Sequence, residues 1–496
     1  MATAKVLGIE TEYGIQATGE DANPIAASSV LVNAYASAVE RRTGWDFEDE
    51  TPGNDARGFA REGSMPPMVE THLANTVLTN GARFYVDHAH PEYSTPECID
   101  PMEAMIHDKA GEEVLRRAMA AARSAMPEIP PIVVYKNNSD GKGNSYGCHE
   151  NYLMDRAVPF ARVVAGIVPH FVTRQLFCGA GKVGVETPAL DRDEVRYQIS
   201  QRAEFFEEVV GLETTLKRPI VNTRDEPHAD PKRFRRLHVI VGDANLSEVA
   251  TFLKLGTTAV VLAMIEDDAL GARDLTPADP VRAIHHVSAD LSLRKPLLMA
   301  DGSSATALEI QWELFAAARR WSKEKGLECL GDEAVGTAVL DRWEAVLAGL
   351  ESDPMTLVHQ LDWVAKQHLV EAYRERHGCS WGDGRLRALD LQYHDLRPER
   401  SLYARLGLER LVDDAAVARA VTDPPTRTRA WFRGTCLARW PEAVVTANWD
   451  SLVFDLGSDP LRRVPMMDPL RGTAEATGDL LAASTDPSDL LDRLSS

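Results

Sequence analysis

The feature that most constrains the fold is the alternating stretch NGARFYVDHAHPEY, residues 80–93. Successive side chains of a β-strand point to opposite faces, so Arg83, Tyr85 and Asp87 are predicted to share one face and Phe84 and Val86 the other. The pattern therefore predicts a strand with one apolar face and one face that carries a cation, a phenol and a carboxylate. That polar face is either a solvated surface or a binding surface, and residues elsewhere in the chain distinguish the two.

The composition is typical of a globular protein that works in water. The 496 residues are 44% hydrophobic and 26% charged, which suits one large domain and at least one smaller one. The longest apolar stretch, around residues 259–265, is too short to cross a bilayer, and the N-terminus shows no signal pattern, so a cytoplasmic protein is expected. The net charge of −21 disfavours nonspecific binding to nucleic acid or anionic membranes. The six cysteines lack metal-site or redox spacing, which predicts reduced thiols.

The order of the predicted elements indicates an α+β fold. Strands are predicted at residues 5–15, 80–93, 131–136, 149–154, 218–223, 236–241 and, as one strand-like piece, 446–456. Helices are predicted at residues 28–40, 101–126, 307–324, 334–350 and 355–376. Asp100, directly before Pro101, is the expected N-cap of the second of these helices.

Two stretches interrupt this order. Residues 41–75 mix charge, glycine and proline without a sustained period, which predicts a long mobile insertion loop, either a lid or binding loop or a tolerated surface insertion. The proline pair within residues 423–434 predicts a boundary near residue 426. We therefore expect a large domain, residues 1–425, and a small C-terminal domain, residues 426–496.

Carboxylates lie close together near the N-terminus. GIETEYG places Glu10 and Glu12 on one face of a strand, where two carboxylates repel each other unless a cation or a proton lies between them. Glu92 and Glu97 follow the alternating strand and are interpreted as further ligands of a hard cation. Such oxygen ligands suit Mg²⁺, and the alternative is a set of solvated surface glutamates.

Histidines and arginines add to the same surface. His149 and Asn151 share one face of a predicted strand, and Arg236 and His238 share one face of another. Arginines on such surfaces commonly bind phosphate or carboxylate through paired hydrogen bonds. The pair His88 and His90 lacks a nearby third nitrogen or sulfur ligand, so we interpret these two as hydrogen-bonded structural histidines. The residues thus predict a polar sheet face for Mg²⁺ and a phosphate-rich ligand.

Five blocks in this order resemble the family of the Pup ligase and the deamidase of Pup: GIETEYG, NGARFYVDHAHPEY, KNNSDGKGNSYGCHENY, NTRDEPHAD and RRLHVIVGDAN. The resemblance continues to ANWDSLVFDL near the C-terminus. It implies a glutamine-synthetase-like fold: a curved antiparallel β-sheet that cradles ATP and Mg²⁺, packs on helices and is followed by a small C-terminal domain.

The resemblance also implies roles for individual residues. Asp87 matches the catalytic aspartate of the family. Five residues match positions at or beside the magnesium site: Glu10, Tyr85, Glu92, His149 and His238. Three match contacts to ATP: Arg83, Thr95 and Trp449. Glu12 is expected to face the same site.

The family has two branches with opposite chemistry. The ligase uses ATP to join the C-terminal glutamate of Pup to a lysine, whereas the deamidase hydrolyses the amide of a C-terminal glutamine or the isopeptide bond. Residues 41–75 resemble a loop present in deamidases, and VDHAHPEY lacks a residue that ligases carry there. Both features favour the deamidase; the ligase, a noncatalytic Pup-binding protein and a small-molecule γ-glutamyl ligase are the alternatives.

The deamidase branch implies ATP as a bound cofactor and Asp87 as either the nucleophile or a general base that activates water. The implied partners are Pup and pupylated proteins, with neither nucleic acid nor membrane among them. The sequence leaves open the oligomeric state, a monomer included, and the location of the Pup-binding groove.

Overall fold

A computed structural model describes residues 2–18, 23–40, 43–48, 50–58, 74–457 and 460–495. Its strands are Leu7–Glu12, Gly14–Gln16, Gly44–Trp45, Asn75–Val77, Arg83–Asp87, His90–Ser94, Val133–Tyr135, Cys148–Asp155, Lys182–Val183, Tyr197–Gln198, Phe206–Gly211, Arg218–Asn222, Phe234–Val239, Pro296–Leu298, Ser304–Thr306, Val444–Ala447, Ser451–Phe454 and Arg462–Pro465. Its α-helices are Pro24–Ala38, Pro101–Ala125, Phe160–Thr173, Gln175–Cys178, Glu248–Glu266, Pro280–Ala289, Ala307–Lys325, Glu333–Ser352, Asp362–His377, Gly384–Tyr393, Leu402–Leu406, Asp414–Ala420, Ala430–Arg439, Ala474–Ala483 and Pro487–Ser495. Short 3₁₀ turns occupy Ala203–Phe205, Glu328–Leu330 and Pro354–Leu357.

A six-stranded sheet, here called the central sheet, carries the predicted polar face. Its strand order is Phe234–Val239, Cys148–Asp155, Leu7–Glu12, His90–Ser94, Arg83–Asp87 and Asn75–Val77. Every neighbouring pair is antiparallel. The predicted α+β class with an antiparallel sheet is therefore confirmed.

The two faces of the central sheet differ as the alternation predicts. Phe84 and Val86 are buried, whereas the side chains between and beside them are partly exposed. The apolar face packs against three helices, Pro24–Ala38, Pro101–Ala125 and Glu248–Glu266. The polar side chains consequently project from the opposite face, away from this helical layer.

Two of these helices, Pro101–Ala125 and Glu248–Glu266, form for different reasons. Asp100 accepts a hydrogen bond from the Glu103 amide at 2.8 Å, which confirms it as the N-cap of the Pro101–Ala125 helix. The Glu248–Glu266 helix is apolar all round, and every residue from Glu248 to Ile265 is buried. It is long and apolar enough to cross a membrane, but its apolar window lies entirely inside the protein, as in a core helix.

A second sheet of four strands, here called the C-terminal sheet, has the order Arg462–Pro465, Ser451–Phe454, Val444–Ala447 and Gly44–Trp45. The prediction of one strand at 446–456 is wrong, because the chain reverses after Ala447. The Asn448 side chain accepts a hydrogen bond from the Asp450 amide at 3.0 Å, a side-chain interaction typical of a turn.

Part of the predicted insertion loop is structured. Gly44–Trp45 pairs in parallel with Val444–Ala447, and the Ala56 amide donates to the Thr223 carbonyl at 2.8 Å. Residues 43–48 and 50–58 are therefore attached to the rest of the fold, whereas the mobility of the loop stays a prediction. For residues 41, 42, 49 and 59–73 the loop prediction lies outside the described residues. The domain boundary near residue 426 stays a prediction, although the C-terminal sheet includes a strand from residues 44–45.

Three more predicted elements are each divided in the structure. Residues 5–15 form two strands, Leu7–Glu12 and Gly14–Gln16, and the predicted strand 80–93 is two antiparallel strands, Arg83–Asp87 and His90–Ser94. Residues 355–376 form a 3₁₀ turn followed by the Asp362–His377 helix. At this last break Asp362 accepts hydrogen bonds from the Tyr393 hydroxyl at 2.8 Å and the Asn245 amide at 3.0 Å. These long-range partners hold the chain where local periodicity predicts a continuous helix.

Beneath the central sheet lies a buried ionic cluster. Lys136 Nζ donates to Asp108 at 2.6 Å and to Glu112 at 3.0 Å, and Lys109 Nζ donates to Glu112 at 2.7 Å. Burial raises the pKa of Glu112, but the attraction of Lys109, Lys136 and Arg116 outweighs it and lowers that pKa from 4.5 to about 2. Glu112 is therefore ionised throughout the neutral range.

We predict that Glu112 makes the stability sensitive to acid. Its pKa is lower in the fold than in the unfolded chain, so its contribution is complete above about pH 4.5 and is lost as the pH falls towards 2. The shift corresponds to about 3 kcal/mol in the free energy of unfolding. Urea unfolding at about pH 5 and about pH 3 measures it. Glu112→Gln should reduce the difference, whereas Glu113→Gln, on the more exposed side of the same helix, should leave it unchanged.

Candidate active site

Three carboxylates converge on the polar face of the central sheet: Glu12, Asp87 and Glu92. One carboxylate oxygen from each lies within 4.8 Å of the others, and we call this group the carboxylate cluster. Strand pairing produces it, because Glu92 lies opposite Glu12 on one side and opposite Tyr85 on the other. The predicted proximity of Glu12, Asp87 and Glu92 is present in the structure.

Glu92 and Asp87 do not hold their protons equally. Burial and the charges of Asp87 and Glu12 raise the pKa of Glu92 well above its usual value. Burial also acts to raise the pKa of Asp87, but the hydrogen bond from His88 and the charge of His149 outweigh it and lower that pKa. Asp87 lies 3.1 Å from His88 Nδ1 and exposes 28% of its side chain, whereas Glu92 is 2% exposed. Asp87 is thus both ionised and accessible.

A second group, here called the histidine cluster, comprises Glu10, His149 and His238, whose ligand atoms also lie within 4.8 Å of one another. His149 Nδ1 is 3.6 Å from a Glu10 oxygen, and the two imidazole rings meet edge to face at 5.0 Å. Burial acts to raise the pKa of Glu10, but the hydrogen bond from His149 and the charge of Arg236 lower it well below its usual value.

Asn151 fixes the orientation of this cluster. Its amide nitrogen donates to Glu10 at 2.8 Å, and its oxygen accepts from Arg236 at 2.7 Å. Because arginine only donates, the amide orientation is determined, and the contact of 3.0 Å from His238 Nδ1 to the same oxygen must be a donation by His238. Burial and Arg236 lower the pKa of His238 well below its usual value, so its ring is neutral.

The other nitrogen of His238, Nε2, therefore has a free lone pair. It is buried and has no hydrogen-bond partner among the described residues. A buried acceptor without a partner is costly, and a ligand or cation that engages it removes that cost. The orphaned atom shows that the histidine cluster suits a cation or a donor group.

Tyr85 lies between the predicted metal and nucleotide residues. Its hydroxyl accepts from Ser94 at 3.5 Å, and burial together with Glu92 raises its pKa well above its usual value. The Arg83 guanidinium lies 3.8 Å from the centre of its ring and 4.1 Å from that of Trp45. The Arg83 guanidinium is thus held between two aromatic rings, and this packing fixes the direction of its N–H groups.

A cavity adjoins the histidine cluster, and we call it the sheet cavity. Glu10, Thr95 and Trp449 all line it. Thr95 Oγ1 accepts from the Ile9 amide at 3.0 Å, which fixes its side chain. Trp449 meets Trp45 edge to face at 5.1 Å, and this contact connects the cavity wall to the aromatic pair around Arg83.

Two further predictions concern neighbouring residues. The interpretation of Glu97 as a cation ligand is wrong, because its carboxylate is paired with Arg429 and Arg433. His90 is structural as predicted: its Nδ1 lies 3.0 Å from the Tyr13 carbonyl, and its ring stacks on Tyr146 at 4.2 Å.

The site also contains residues to which the sequence analysis assigned no specific role. Trp45 lies within the predicted insertion loop, and Asn151 and Arg236 orient the histidine cluster. The shared strand faces of Asn151 and Arg236 were a usable signal, since they place both beside predicted site residues. No local pattern indicated Trp45.

Comparison with known proteins places this geometry in a family. The family described as Pup-ligase protein matches residues 5–453. The chain belongs to this family. The match covers the strands of both clusters and the cavity residue Trp449, so family membership applies to the whole site.

Relatives in both branches are similar over nearly their full length. The depupylase of Acidothermus cellulolyticus is 53% identical over 96% of this chain and 96% of the relative. The Pup deamidase/depupylase of Mycolicibacterium smegmatis is 48% identical over 99% of each chain. The Pup–protein ligase of Acidimicrobium ferrooxidans is 42% identical over 97% of this chain and 98% of the relative.

Solved structures of family members share the fold. The ligase PafA in complex with the prokaryotic ubiquitin-like protein Pup matches with a TM-score of 0.81 at 31% identity, over 99% of this chain and 94% of that chain. The Pup ligase PafA in complex with ADP matches with a TM-score of 0.74 at 35% identity, over 84% of this chain and 92% of that chain. The central sheet of this protein is thus the family scaffold.

Proposed function

We propose that this protein is a hydrolase that converts the C-terminal glutamine of Pup to glutamate and cleaves the isopeptide bond between Pup and lysine. Relatives named depupylase or Pup deamidase/depupylase are 53% and 48% identical to this chain, whereas a relative named ligase is 42% identical. The observation that carries the chemistry is Asp87, the ionised and accessible member of the carboxylate cluster.

Asp87 acts on the amide carbon in one of two ways. As a nucleophile, its carboxylate oxygen adds to the carbon, ammonia or the lysine amine leaves with a proton, and water then cleaves the resulting anhydride. As a general base, it accepts a proton from a water molecule whose oxygen adds to the same carbon, and the C–N bond then breaks as this proton passes to the leaving ammonia or lysine amine. Both routes need an ionised carboxylate within reach of the substrate, and Asp87 has both properties.

The donor set of the site fits a divalent cation. Glu10 and Glu92 provide the hard oxygen ligands that Mg²⁺ prefers, the neutral Tyr85 phenol lies beside Glu92, and His149 and His238 bracket Glu10. When bound, Mg²⁺ would supply positive charge that offsets the repulsion among these carboxylates and the phosphates of ATP, and it would polarise a nearby carbonyl oxygen. The hydrogen bond from His149 keeps Glu10 ionised, and the hydrogen bond from Asn151 orients its carboxylate.

The nucleotide is proposed to occupy the sheet cavity. The ADP complex of the ligase PafA supports nucleotide binding on this scaffold. Thr95 and Trp449 line the cavity, and Arg83 is held beside it by Trp45 and Tyr85. In this position Trp449 offers a flat apolar surface and Arg83 a cation for the phosphates.

The proposed partners are Pup and proteins conjugated to it. The PafA complex with Pup supports a Pup-binding surface on this scaffold. The charge of −21 disfavours nucleic acid and anionic membranes, and the six free cysteines fit a reducing compartment such as the cytoplasm.

Intact mass spectrometry tests the proposed reaction. Pup ending in glutamine is incubated with the protein, Mg²⁺ and ATP, and in parallel Pup ending in glutamate is incubated with a lysine substrate. The proposal requires conversion of the terminal amide to the acid in the first reaction and release of Pup from a conjugate. Conjugate formation in the second reaction without amide hydrolysis in the first would identify a ligase instead.

We predict that Glu92→Gln stabilises the cation-free protein and weakens its response to Mg²⁺. The substitution removes a buried carboxyl group whose ionisation Asp87 and Glu12 disfavour, so the free energy of unfolding should rise by about 1 kcal/mol. Because a ligand oxygen is lost, the increase in Tm caused by Mg²⁺ should become smaller. Thermal unfolding with and without Mg²⁺ measures both effects. The exposed control Glu313→Gln should change neither, and an undiminished Mg²⁺ response in Glu92→Gln would exclude Glu92 as a ligand.

A further inference from the structure

Glu97 lies at the junction between the central sheet and the C-terminal region. Its Oε1 accepts from Arg429 Nε at 2.7 Å and from Arg433 at 3.2 Å, and its Oε2 accepts a further hydrogen bond from Arg433. Arg429 is 2% exposed and Arg433 is 0% exposed, whereas the Glu97 side chain is 13% exposed and lines the sheet cavity. Both carboxylate oxygens are used by these arginines, which leaves Glu97 poorly suited to bind a cation.

Arg433 extends this connection to the wall of the sheet cavity. Its Nη1 donates to the Trp449 carbonyl at 3.0 Å, and its guanidinium carbon lies 5.3 Å from the centre of the Trp449 ring. Its Nη2 donates to the Gly81 carbonyl at 2.9 Å, just before the strand that carries Arg83. One buried guanidinium therefore contacts both the backbone and the ring of Trp449 and ties them to the central sheet.

We propose that Glu97 is a positioning residue for the nucleotide, which it affects by holding Arg433 and, through Arg433, the Trp449 side of the sheet cavity. The inference rests on the proposed function, because it takes Trp449 to contact ATP. Glu97 comes from the end of the central sheet, and Trp449 comes from the C-terminal sheet. Arg429 and Arg433 bind Glu97, and Arg433 connects it to Trp449, so these contacts set the distance between the Glu97 side and the Trp449 side of the sheet cavity.

The charges support a positioning role. Without Glu97 two guanidinium groups would face each other in a buried space with no anion between them, and one or both would turn away. Arg433 would then lose the geometry that orients the Trp449 carbonyl and ring. A displaced cavity wall weakens ground-state binding of the nucleotide, whereas Asp87 lies on another strand and keeps its own contacts.

The experiment compares Glu97→Gln, Arg433→Lys, Trp449→Ala and the Glu97→Gln/Trp449→Ala double variant in the full chain. Titration with a fluorescent ADP analogue gives the dissociation constant, and Pup deamidation gives KM for ATP and kcat. Arg433→Lys provides an independent test if Glu97→Gln does not fold. The matched control is Glu248→Gln, which breaks an ion pair between the buried Glu248 and the partly exposed Arg410 outside the cavity.

We expect Glu97→Gln and Arg433→Lys each to raise the dissociation constant and KM for ATP about tenfold, with kcat at saturating ATP changed less than about twofold. In the double variant Glu97→Gln should add little to Trp449→Ala, because both act on one contact. Glu248→Gln should lower Tm without changing nucleotide affinity.

The outcomes distinguish the positioning role of Glu97 from the proposed nucleotide site at Trp449. Unchanged affinity for the ADP analogue in both Glu97→Gln and Arg433→Lys would overturn the positioning role. So would fully additive losses of affinity in the Glu97→Gln/Trp449→Ala double variant. In either case, Trp449→Ala alone still tests the nucleotide site. An equal loss of affinity in Glu248→Gln would show a general effect of instability and overturn it as well. Failure of the unsubstituted protein to bind the analogue would remove the proposed cofactor and this inference together.

Discussion

Asp87→Asn should lower the rate of Pup deamidation by about 10²–10⁴-fold, with the affinity for nucleotide nearly unchanged. The substitution keeps the size of the side chain but removes the carboxylate charge that either route requires. Asp87 lies at the accessible edge of the carboxylate cluster, and the positive charges of His88 and His149 outweigh the effect of burial and leave its pKa below the usual value. The rate is measured by intact mass spectrometry under saturating ATP.

The stability of this variant provides an internal control. Because the fold lowers the pKa of Asp87, its charge is favourable there, and its neutralisation should lower the free energy of unfolding only slightly, since the same change relieves the repulsion that raises the pKa of Glu92. The exposed control Asp301→Asn should retain the full rate. A fully active Asp87→Asn protein with unchanged nucleotide binding would assign the chemistry to another residue.

Arg174→Met should lower the free energy of unfolding by about 3–5 kcal/mol. Arg174 donates to both carboxylate oxygens of Glu150 at 2.7 and 2.8 Å, to the Val241 carbonyl at 2.8 Å and to the Thr258 hydroxyl at 2.7 Å. Glu150 is 0% exposed and lies on the same strand as His149, on the face towards the helices. Loss of the guanidinium leaves an unpaired buried carboxylate directly behind the histidine cluster.

Urea unfolding measures this loss at neutral pH. The matched control is Arg273→Met, which breaks an ion pair with Glu313 whose two side chains are about half exposed, and it should cost less than about 1 kcal/mol. Similar losses in the two variants would show that the buried pair contributes no more than a surface pair.

Local patterns were sufficient for the central sheet. Alternation placed Arg83, Tyr85 and Asp87 on one face, and the structure shows this face partly exposed with Phe84 and Val86 buried behind it. These predictions succeeded because side-chain direction in a strand depends on the chain alone. The antiparallel order and the proposed residue roles came from the resemblance to a family, since neither follows from periodicity.

Contacts between distant parts of the chain were not predictable in this way. Trp45 reaches Arg83 only because Gly44–Trp45 adds to the C-terminal sheet. Glu97 was interpreted as a cation ligand because the sequence does not show that Arg429 and Arg433, more than 300 residues further along the chain, occupy both its oxygens. The role of a carboxylate depends on which cation reaches it, and only the fold determines that.

The ratio of ADP formed to bonds hydrolysed tests the central claim most directly. Pup ending in glutamine is converted to completion with limiting protein and Mg²⁺–ATP, and both products are counted in the same sample. If the protein is a hydrolase with ATP as a bound cofactor, many amide bonds are cleaved for each ADP formed. One ADP for each bond changed would contradict this account, because such coupling is that of a ligase.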